Sequence, residues 1–400
     1  MKYVGIDLHK KCMSVCVMDK ERTVLHRQRL LCGEPERIME YFRSLGEFCF
    51  AVEAMGSFEW LALLLEPLSQ SWVLVNPSKF RVIAESTQKT DRQDAQNLAE
   101  FLALGMLPRA YFPSERTREH RLLVRYRLRC RQKLSQIKVE IRQLATRYNA
   151  DRSDLFEEEQ LAALQSLKQM RGADRFILKQ HLVAMSEAQE RTTAATKQLR
   201  KFASQGSEAE QREREIVLSA PGVGEVVAEV VLAELGEVTR FASIKDATAY
   251  AGLVPAQRES AGKEKERGLT KKGSRILRWA MVEAAWQAIR SSARWRGVYE
   301  QLKKRRGSKK AIMAIARRLL GVLTSMLKRV DNAVYNAFKT AQDGTWKAGV
   351  QTLGLAEDGV GYALDDNNKA VLTPDMVAKL DAAKADIISG KLKVEPYMQP

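Results

Sequence analysis

Asp7 stands inside an otherwise apolar run, Tyr3-Val4-Gly5-Ile6-Asp7-Leu8. A strand of that composition belongs in a core, where a carboxylate is costly unless it is paired or liganded. The chain must therefore fold so that something meets Asp7. Glu53 ends a second apolar run, Phe48-Cys49-Phe50-Ala51-Val52. Asp91 and Asp94 open an amphipathic helix that continues through Leu98 to Leu102, and side chains at i and i+3 on a helix face the same way. Taken singly, each of these three acids has a plainer role: Asp91 an N-cap, Asp94 a favourable charge in the first turn, Glu53 a surface residue beyond a strand. As an ordered set with Asp7, the four carboxylates suggest bound Mg²⁺, which takes carboxylate oxygens, water and substrate phosphate as ligands.

The segments around the acids read as α/β. Tyr3–Lys10, Met13–Met18 and Thr23–Leu30 are three short strands, with Asp19-Lys20-Glu21 turning the last two. A helix over Glu34–Leu45 and a strand ending at Glu53 follow. A second helix runs from Ser57 to Glu66, where Pro67 stops it, and Trp72–Val75 is a buried strand stopped by Asn76-Pro77. Three meandering strands followed by alternating helix and strand is the order of an RNase H-like domain. From Ser114 to about Lys201 the sequence turns long, charged and helical. Leu122, Tyr126, Leu134, Ile137, Ile141 and Leu144 form a narrow apolar seam, fitting either a solvated helical hairpin or a coiled coil that pairs protomers. A third, mainly α region begins near Glu213 and contains helices over Val226–Leu235, Ser274–Arg290 and Lys309–Lys328. The expected domains are 1–112, 113–205, 206–330 and 331–400.

The chain carries 66 Lys and Arg against 49 Asp and Glu, a net +17. That charge is unevenly spread. Residues 331–400 hold 7 Lys, no Arg and 10 acids, so the first 330 residues carry +20. A basic body of this kind points to a polyanionic partner, with nucleic acid the leading choice. No apolar stretch approaches the ~18 residues that span a bilayer, so no membrane partner is expected, and the early arrival of Asp7 leaves no room for a secretory h-region. The five cysteines, Cys12, Cys16, Cys32, Cys49 and Cys130, lack paired CxxC spacing and read as reduced thiols. Cytoplasmic residence, in a bacterium and at its nucleoid, is the expectation.

Two segments offer phosphate contacts. Gly222 and Gly224, in Pro221-Gly222-Val223-Gly224, precede an apolar helix whose N-terminal N–H groups suit an anion, although an ordinary tight turn fits equally. Arg258, Lys263, Arg267, Lys271, Lys272, Arg275 and Arg278 lie on a Gly-containing basic loop and the helix it enters, and can hold phosphates by charge and backbone N–H groups. Ser260 sits on that loop. On its chemistry alone it is a solvated serine, since His9, His26, His120 and His181 are all remote in sequence and no Ser–His pair is visible.

A resemblance adds to this. Val4-Gly5-Ile6-Asp7-Leu8-His9-Lys10, Val52-Glu53-Ala54-Met55-Gly56-Ser57, Lys89-Thr90-Asp91-Arg92-Gln93-Asp94-Ala95, Pro221-Gly222-Val223-Gly224, Tyr250-Ala251-Gly252-Leu253-Val254-Pro255, Thr270-Lys271-Lys272-Gly273 and Lys309-Lys310-Ala311 occur in order. Residues 1–330 thereby resemble insertion-sequence transposases that join a RuvC-like DEDD domain to a C-terminal serine domain, the bridge-RNA-guided recombinases. The resemblance implies metal binding by Asp7, Glu53, Asp91 and Asp94, and Ser260 as the nucleophile of a serine–DNA linkage. It also implies a structured guide RNA and a homo-oligomer, dimer or tetramer, in which the two sites meet between protomers. Lys263 stands where that family usually has Gly, and Ser274 where Asn or Asp often follows Lys-x-Gly. The rival readings are a metal-dependent junction resolvase without a covalent intermediate and a non-catalytic nucleic-acid-binding fusion.

The tail is different again. Val330-Asp331-Asn332-Ala333-Val334-Tyr335, Asp343-Gly344-Thr345, Leu353-Gly354-Leu355 and Gly359-Val360-Gly361-Tyr362-Ala363-Leu364-Asp365-Asp366-Asn367-Asn368 resemble the C-terminal end of the basic membrane lipoprotein, or purine-nucleoside-binding, family. Thr373-Pro374-Asp375-Met376 would open its last helix, ending near Gly390. The expectation is an element inserted into such a gene, with a tail that is weakly ordered and binds no ligand.

Overall fold

The computed structural model describes residues 1–55, 58–83, 91–260, 263–269, 273–328, 374–389 and 391. They fall into two compact units, Met1–Ser114 and Glu115–Pro400.

The first unit is built on a mixed five-stranded sheet. The strands β1 (Lys2–Leu8), β2 (Cys12–Met18) and β3 (Val24–Leu31) form an antiparallel meander, and the parallel strands β4 (Phe48–Glu53) and β5 (Ser71–Val75) extend it to the order β3-β2-β1-β4-β5. This is consistent with an RNase H-like domain. Helix α1 (Pro35–Ser44), with Pro35 in its first turn, links β3 to β4, and α2 (Phe58–Leu65) with a 3₁₀ turn at Glu66–Leu68 leads to β5. Val4, Ile6, Phe48, Phe50 and Val52 turn to one face and pack with Ile38 and Phe42 of α1 and Leu61 and Leu65 of α2. Phe50 and Trp72 stack there at 5.6 Å between ring centroids. Burying each large apolar side chain in this layer stabilises the unit by about 1.5–3 kcal/mol. Beyond β5, Asn76-Pro77 does end the strand, but the chain enters a short helix, α3 (Pro77–Ile83), whose first two N–H groups after the proline are met by the Asn76 side chain.

The opposite face is covered by α4 (Asp91–Ala103). Its buried stripe, Ala95, Leu98 and Ala99, repeats at helical spacing and consists mostly of small residues. Ala95 and Ala99 pack with Cys16 and Met18, and Leu98 with Ala51, Val73 and Val75. The sheet is thus a layer between α1 and α2 on one side and α4 on the other, with β1 at its centre.

The second unit is mostly helical. Two helices of 33 residues each, α5 (Glu115–Arg147) and α7 (Gly172–Ser204), pack against one another, joined through α6 (Glu158–Ser166). The middle region is therefore a helical hairpin within one chain. Its distal core is Ile141, Leu144, Leu155, Leu164, Met170 and Leu178. The seam differs from the expected one: Leu122 and Tyr126 are 64% and 46% exposed, while Val124 and Leu128 are buried. Val124 and Leu128 face Leu199 of α7, and Val230 and Ala280 of two helices introduced next.

The remaining helices are α8 (Glu208–Leu218), α9 (Glu225–Leu235), α10 (Ile244–Tyr250), α11 (Arg275–Ser291), α12 (Ala293–Arg306) and α13 (Ser308–Lys328). They share a core that includes Val231, Leu235, Leu277, Met281, Leu319 and Leu323. Between α10 and α11, where the sequence reads as a basic loop, lies an antiparallel hairpin of β6 (Pro255–Ser260) and β7 (Lys263–Leu269). A helix α14 (Pro374–Ile388) begins where the tail was expected to open its last helix. Most of the tail segments lie outside the described residues, as does the expectation of weak order attached to them. All five cysteines are free thiols, and Cys16 and Cys130 are buried.

Candidate active site

The site is set by how closely α4 lies on β1. A Cβ added at Gly5 would sit 2.0 Å from the Ala95 carbonyl oxygen and 2.4 Å from the Ala99 amide nitrogen. Only a glycine admits the helix backbone there. This contact brings the start of α4, with its two acids, to the end of β1. Asp91 and Asp94 in the first turn also suit the positive end of the helix dipole.

Alternation along the strand puts Asp7 on the same face as Gly5, hence toward α4. His9 follows just beyond the strand end. Its Nε2 lies 3.0 Å from Asp7 Oδ2 and 3.3 Å from Asp91 Oδ1, clasping the two carboxylates. One ligand atom from each of Asp7, His9 and Asp91 lies within 4.8 Å of the other two. Burial pushes the Asp7 carboxyl above its ordinary range; the His9 charge opposes this, and the charges of Asp91 and Asp94 add to it. The His9 imidazole is likewise raised, chiefly by the Asp7 charge against a smaller opposing effect of burial. Glu53 completes the row. β1 and β4 pair in parallel up to Ile6 and Val52, and Asp7 and Glu53 are the next residues on each. Ala51, two residues before Glu53, packs on the α4 face, so alternation turns Glu53 that way too.

The structure brings Asp7 and Asp91 together with His9, sets Asp94 near enough for its charge to act on Asp7, and ends β4 at Glu53 beside the end of β1. His9 was missed. Its signal was its place two residues after Asp7, the spacing that keeps a side chain on one face of an extended chain. A donor set of clustered carboxylates with one imidazole, and with a carboxylic acid raised chiefly by burial and further by its like-charged neighbours, suits a divalent cation.

The second set of expected residues is on the other unit. Ser260 is the last residue of β6, paired in register with Lys263. Arg258 lies on β6 and Arg267 on β7; the side chains of these four, and Lys271 and Lys272 entirely, lie outside the described residues. Arg275 is exposed at the start of α11, whereas Arg278 donates to the Ala251 carbonyl oxygen at 3.0 Å. Ser274 is the N-cap of α11, accepting from the Leu277 amide. Asn, Asp and Ser are interchangeable in that role, so this departure from the family pattern preserves the physical function. Gly222, with φ of +82°, approaches α11 so closely that a Cβ would lie 2.3 Å from the Ala288 nitrogen. It serves the tight-turn reading by packing. Gly224 is the N-cap of α9, with Glu225 in the first turn paired to Arg200 at 2.7 Å.

The helix read as apolar, α9, carries two buried acids. Glu229 takes His120 Nε2 at 2.6 Å and Arg214 Nε at 2.5 Å, while Glu234, fully buried, accepts two hydrogen bonds from Arg125 at 2.8 and 3.0 Å. Arg121 caps the end of α9 by donating to the carbonyls of Ala233 and Glu234. The base of the long hairpin is therefore clamped to α9 by ion pairs.

Comparison with known proteins agrees with this architecture. A DEDD-type transposase family model, of the kind found in IS110 elements, matches residues 4–150. A second, described as the transposase IS116/IS110/IS902 family, matches residues 214–300. The chain is similar to the transposase for insertion sequence element IS1111A of Coxiella burnetii, with 24% identity over 356 residues covering 82% of this chain and 90% of the relative. A probable family 20 transposase of Pseudomonas aeruginosa is 23% identical over 340 residues, covering 82% of this chain and 96% of its own length. A short stretch of 35 residues, 9% of each chain, is 69% identical to an uncharacterized lipoprotein of Pyrococcus abyssi.

A DEDD-type unit followed by a second transposase segment defines a DNA transposase, an enzyme of DNA recombination. More particularly, the chain is a transposase of the IS110/IS116 family. DEDD-type transposase domains generally use divalent metal ions. No helix among the described residues is long and apolar enough to cross a membrane.

Proposed function

We propose that this transposase cuts and rejoins DNA by transesterification, with Asp7, Glu53, Asp91 and Asp94 holding Mg²⁺ and Ser260 attacking phosphorus. The supporting observation is the convergence of Asp7, His9 and Asp91, with Asp94 and Glu53 on the same face. A divalent cation held there supplies charge stabilisation to a phosphodiester under attack. The Ser260 hydroxyl forms the Ser–O–P bond as the phosphorus–oxygen bond to one strand end breaks, the proton given up by the serine being matched by one taken up on the departing oxygen. Attack by a new strand end then reverses the linkage, so no phosphate bond energy is lost to water. Ser260 ends β6 opposite Lys263, on strands that also carry Arg258, Lys265 and Arg267 beside Glu259, Glu264 and Glu266; the cations nearest the serine suit a nucleophile presented to a polyanion.

The same reading makes a structured guide RNA the source of sequence choice, the +20 body the surface for both nucleic acids, and a dimer or tetramer the assembly that joins the acidic and serine sites. It divides the chain at about residues 112, 205 and 330, treats the tail as the remnant of a lipoprotein gene in line with the short Pyrococcus likeness, and puts the enzyme in the cytoplasm, at the nucleoid. Ser260→Ala is expected to abolish covalent protein–DNA adducts while nucleic-acid binding survives. Adducts that persist in that variant, or recombination that proceeds with all divalent ions chelated, would refute the proposal.

A further inference from the structure

The strand register carries one feature further. Asp7 on β1 is paired with Ser14 on β2, and Ser14 with Arg29 on β3. Together with Glu53 on β4, one lateral row across the α4 face therefore reads carboxylate, carboxylate, hydroxyl, guanidinium. Neighbouring strands lie about 4.8 Å apart, so Arg29 stands roughly 10 Å from Asp7 along a line crossing Ser14. Arg27 lies two residues before Arg29 on the same face, opposite Cys16. Helix α4 covers the sheet over β1 and β2 but leaves this part of β3 exposed. The result is an open cleft of about 530 Å³, lined by Ser14, Arg27 and Arg29 from the sheet and by Asp91, Arg92 and Ala95 from α4.

We propose that this cleft holds the DNA strand on one side of the phosphate being cut, with Arg29, Arg27 and Arg92 contacting its backbone. The inference rests on the acidic cluster acting on DNA. The charge along the row changes sign where a strand would need it to. A phosphate at the carboxylates needs a cation to be tolerated there, whereas the flanking phosphates meet guanidinium groups directly, which pair well with phosphate oxygens. Phosphates recur every ~3.4 Å of axis along each strand of a duplex, so a strand laid from Asp7 past Ser14 presents flanking phosphates over Arg29. Asp91 belongs to both the cluster and the cleft lining, so the two are continuous.

The test uses the full-length protein and a fluorescein-labelled single-stranded DNA oligonucleotide of mixed sequence, with an RNA of the same sequence as comparison. The Arg27→Gln/Arg29→Gln double variant is expected to reduce the salt dependence of DNA binding by ~0.7 in log–log slope per lost contact, with a corresponding drop in strand cleavage. Arg27→Lys/Arg29→Lys keeps the charges and should keep the slope. Arg37→Gln, on a helix of the opposite face, should change neither. A Gln double variant with the wild-type slope overturns the inference, as does a loss confined to RNA. Asp7→Asn in the same series separates the two proposals. If it abolishes strand rejoining while the arginine variant rejoins normally with an unchanged slope, the cleft is wrong and the acidic site stands. If Asp7→Asn rejoins DNA normally, the acidic site itself fails.

Discussion

Replacing Gly5 by alanine tests the link between backbone packing and the site. The added Cβ would lie 2.0 Å from the Ala95 carbonyl oxygen, where real contacts of this type essentially never fall below 3.0 Å. Its two closest neighbours are backbone atoms of α4, so no rotamer change relieves the clash, and the helix must move out by about 1 Å. Overpacking of this kind costs about 1–3 kcal/mol. The same movement carries Asp91 and Asp94 away from Asp7, and an error of about 1 Å in a reacting constellation costs on the order of 10²-fold in rate. Two readouts follow. Thermal unfolding of Gly5→Ala should show a lowered transition, read as that of the first unit because two-state behaviour is not expected of a chain with two units. Titration with Mn²⁺, followed by loss of free-ion electron paramagnetic resonance signal, should show weaker binding. Wild-type stability together with wild-type Mn²⁺ affinity would refute the claim that Gly5 sets the position of the acids.

Three further outcomes follow from the described contacts. Asp7→Asn should weaken Mn²⁺ binding at least as strongly as Gly5→Ala while leaving the unit folded, because it removes a charge that burial and neighbouring acids disfavour; unchanged Mn²⁺ affinity would remove Asp7 from the site. Arg125→Ala leaves fully buried Glu234 without its bidentate partner and should destabilise the second unit by about 3–5 kcal/mol, measured by denaturant unfolding, whereas Arg191→Ala, which breaks an exposed ion pair with Glu187, should cost no more than ~1 kcal/mol. For Glu229, burial favours the neutral acid, but hydrogen bonds and charge from His120 and Arg214 prevail and hold the carboxyl below its ordinary range. Its contribution to stability is therefore complete above the ordinary glutamate range and is lost as pH falls through the lowered folded value. Glu229→Gln should flatten that part of the acid-unfolding curve, and an unaltered curve would contradict the assignment.

The parts of this structure that the sequence made legible are those with strong period or strong chemistry. The short apolar runs of β1, β2 and β4 located the sheet, and the cost of Asp7 in an apolar strand announced the site. The β6–β7 hairpin was not legible because Lys263-Glu264-Lys265-Glu266-Arg267 has no apolar alternation to betray a strand. The α5 seam was misplaced for a different reason. Leu122 and Tyr126 form one i, i+4 pair and Val124 and Leu128 another, and only the packing of α7, α9 and α11 selects the second. The sequence shows α9 only as an apolar helix, because the α5 partners of Glu229 and Glu234 lie 109 residues earlier and reach them only on folding. His9 is short-range information, yet its role depends on Asp91, which only folding brings to it.

The helical hairpin has a consequence for how this enzyme can change over evolutionary time. Each arm of 33 residues spans about 50 Å, so whatever its tip touches is held at a set reach from the clamp on α9. Adding one or two residues to an arm would rotate everything beyond the insertion by about 100° per residue, turning Ile141 and Leu144 out of the distal core. Adding seven to both arms keeps the stripes nearly in phase and pushes the tip outward by about 10 Å. Reach can therefore be inherited only in coarse increments, and a lineage that alters it must do so on both arms together.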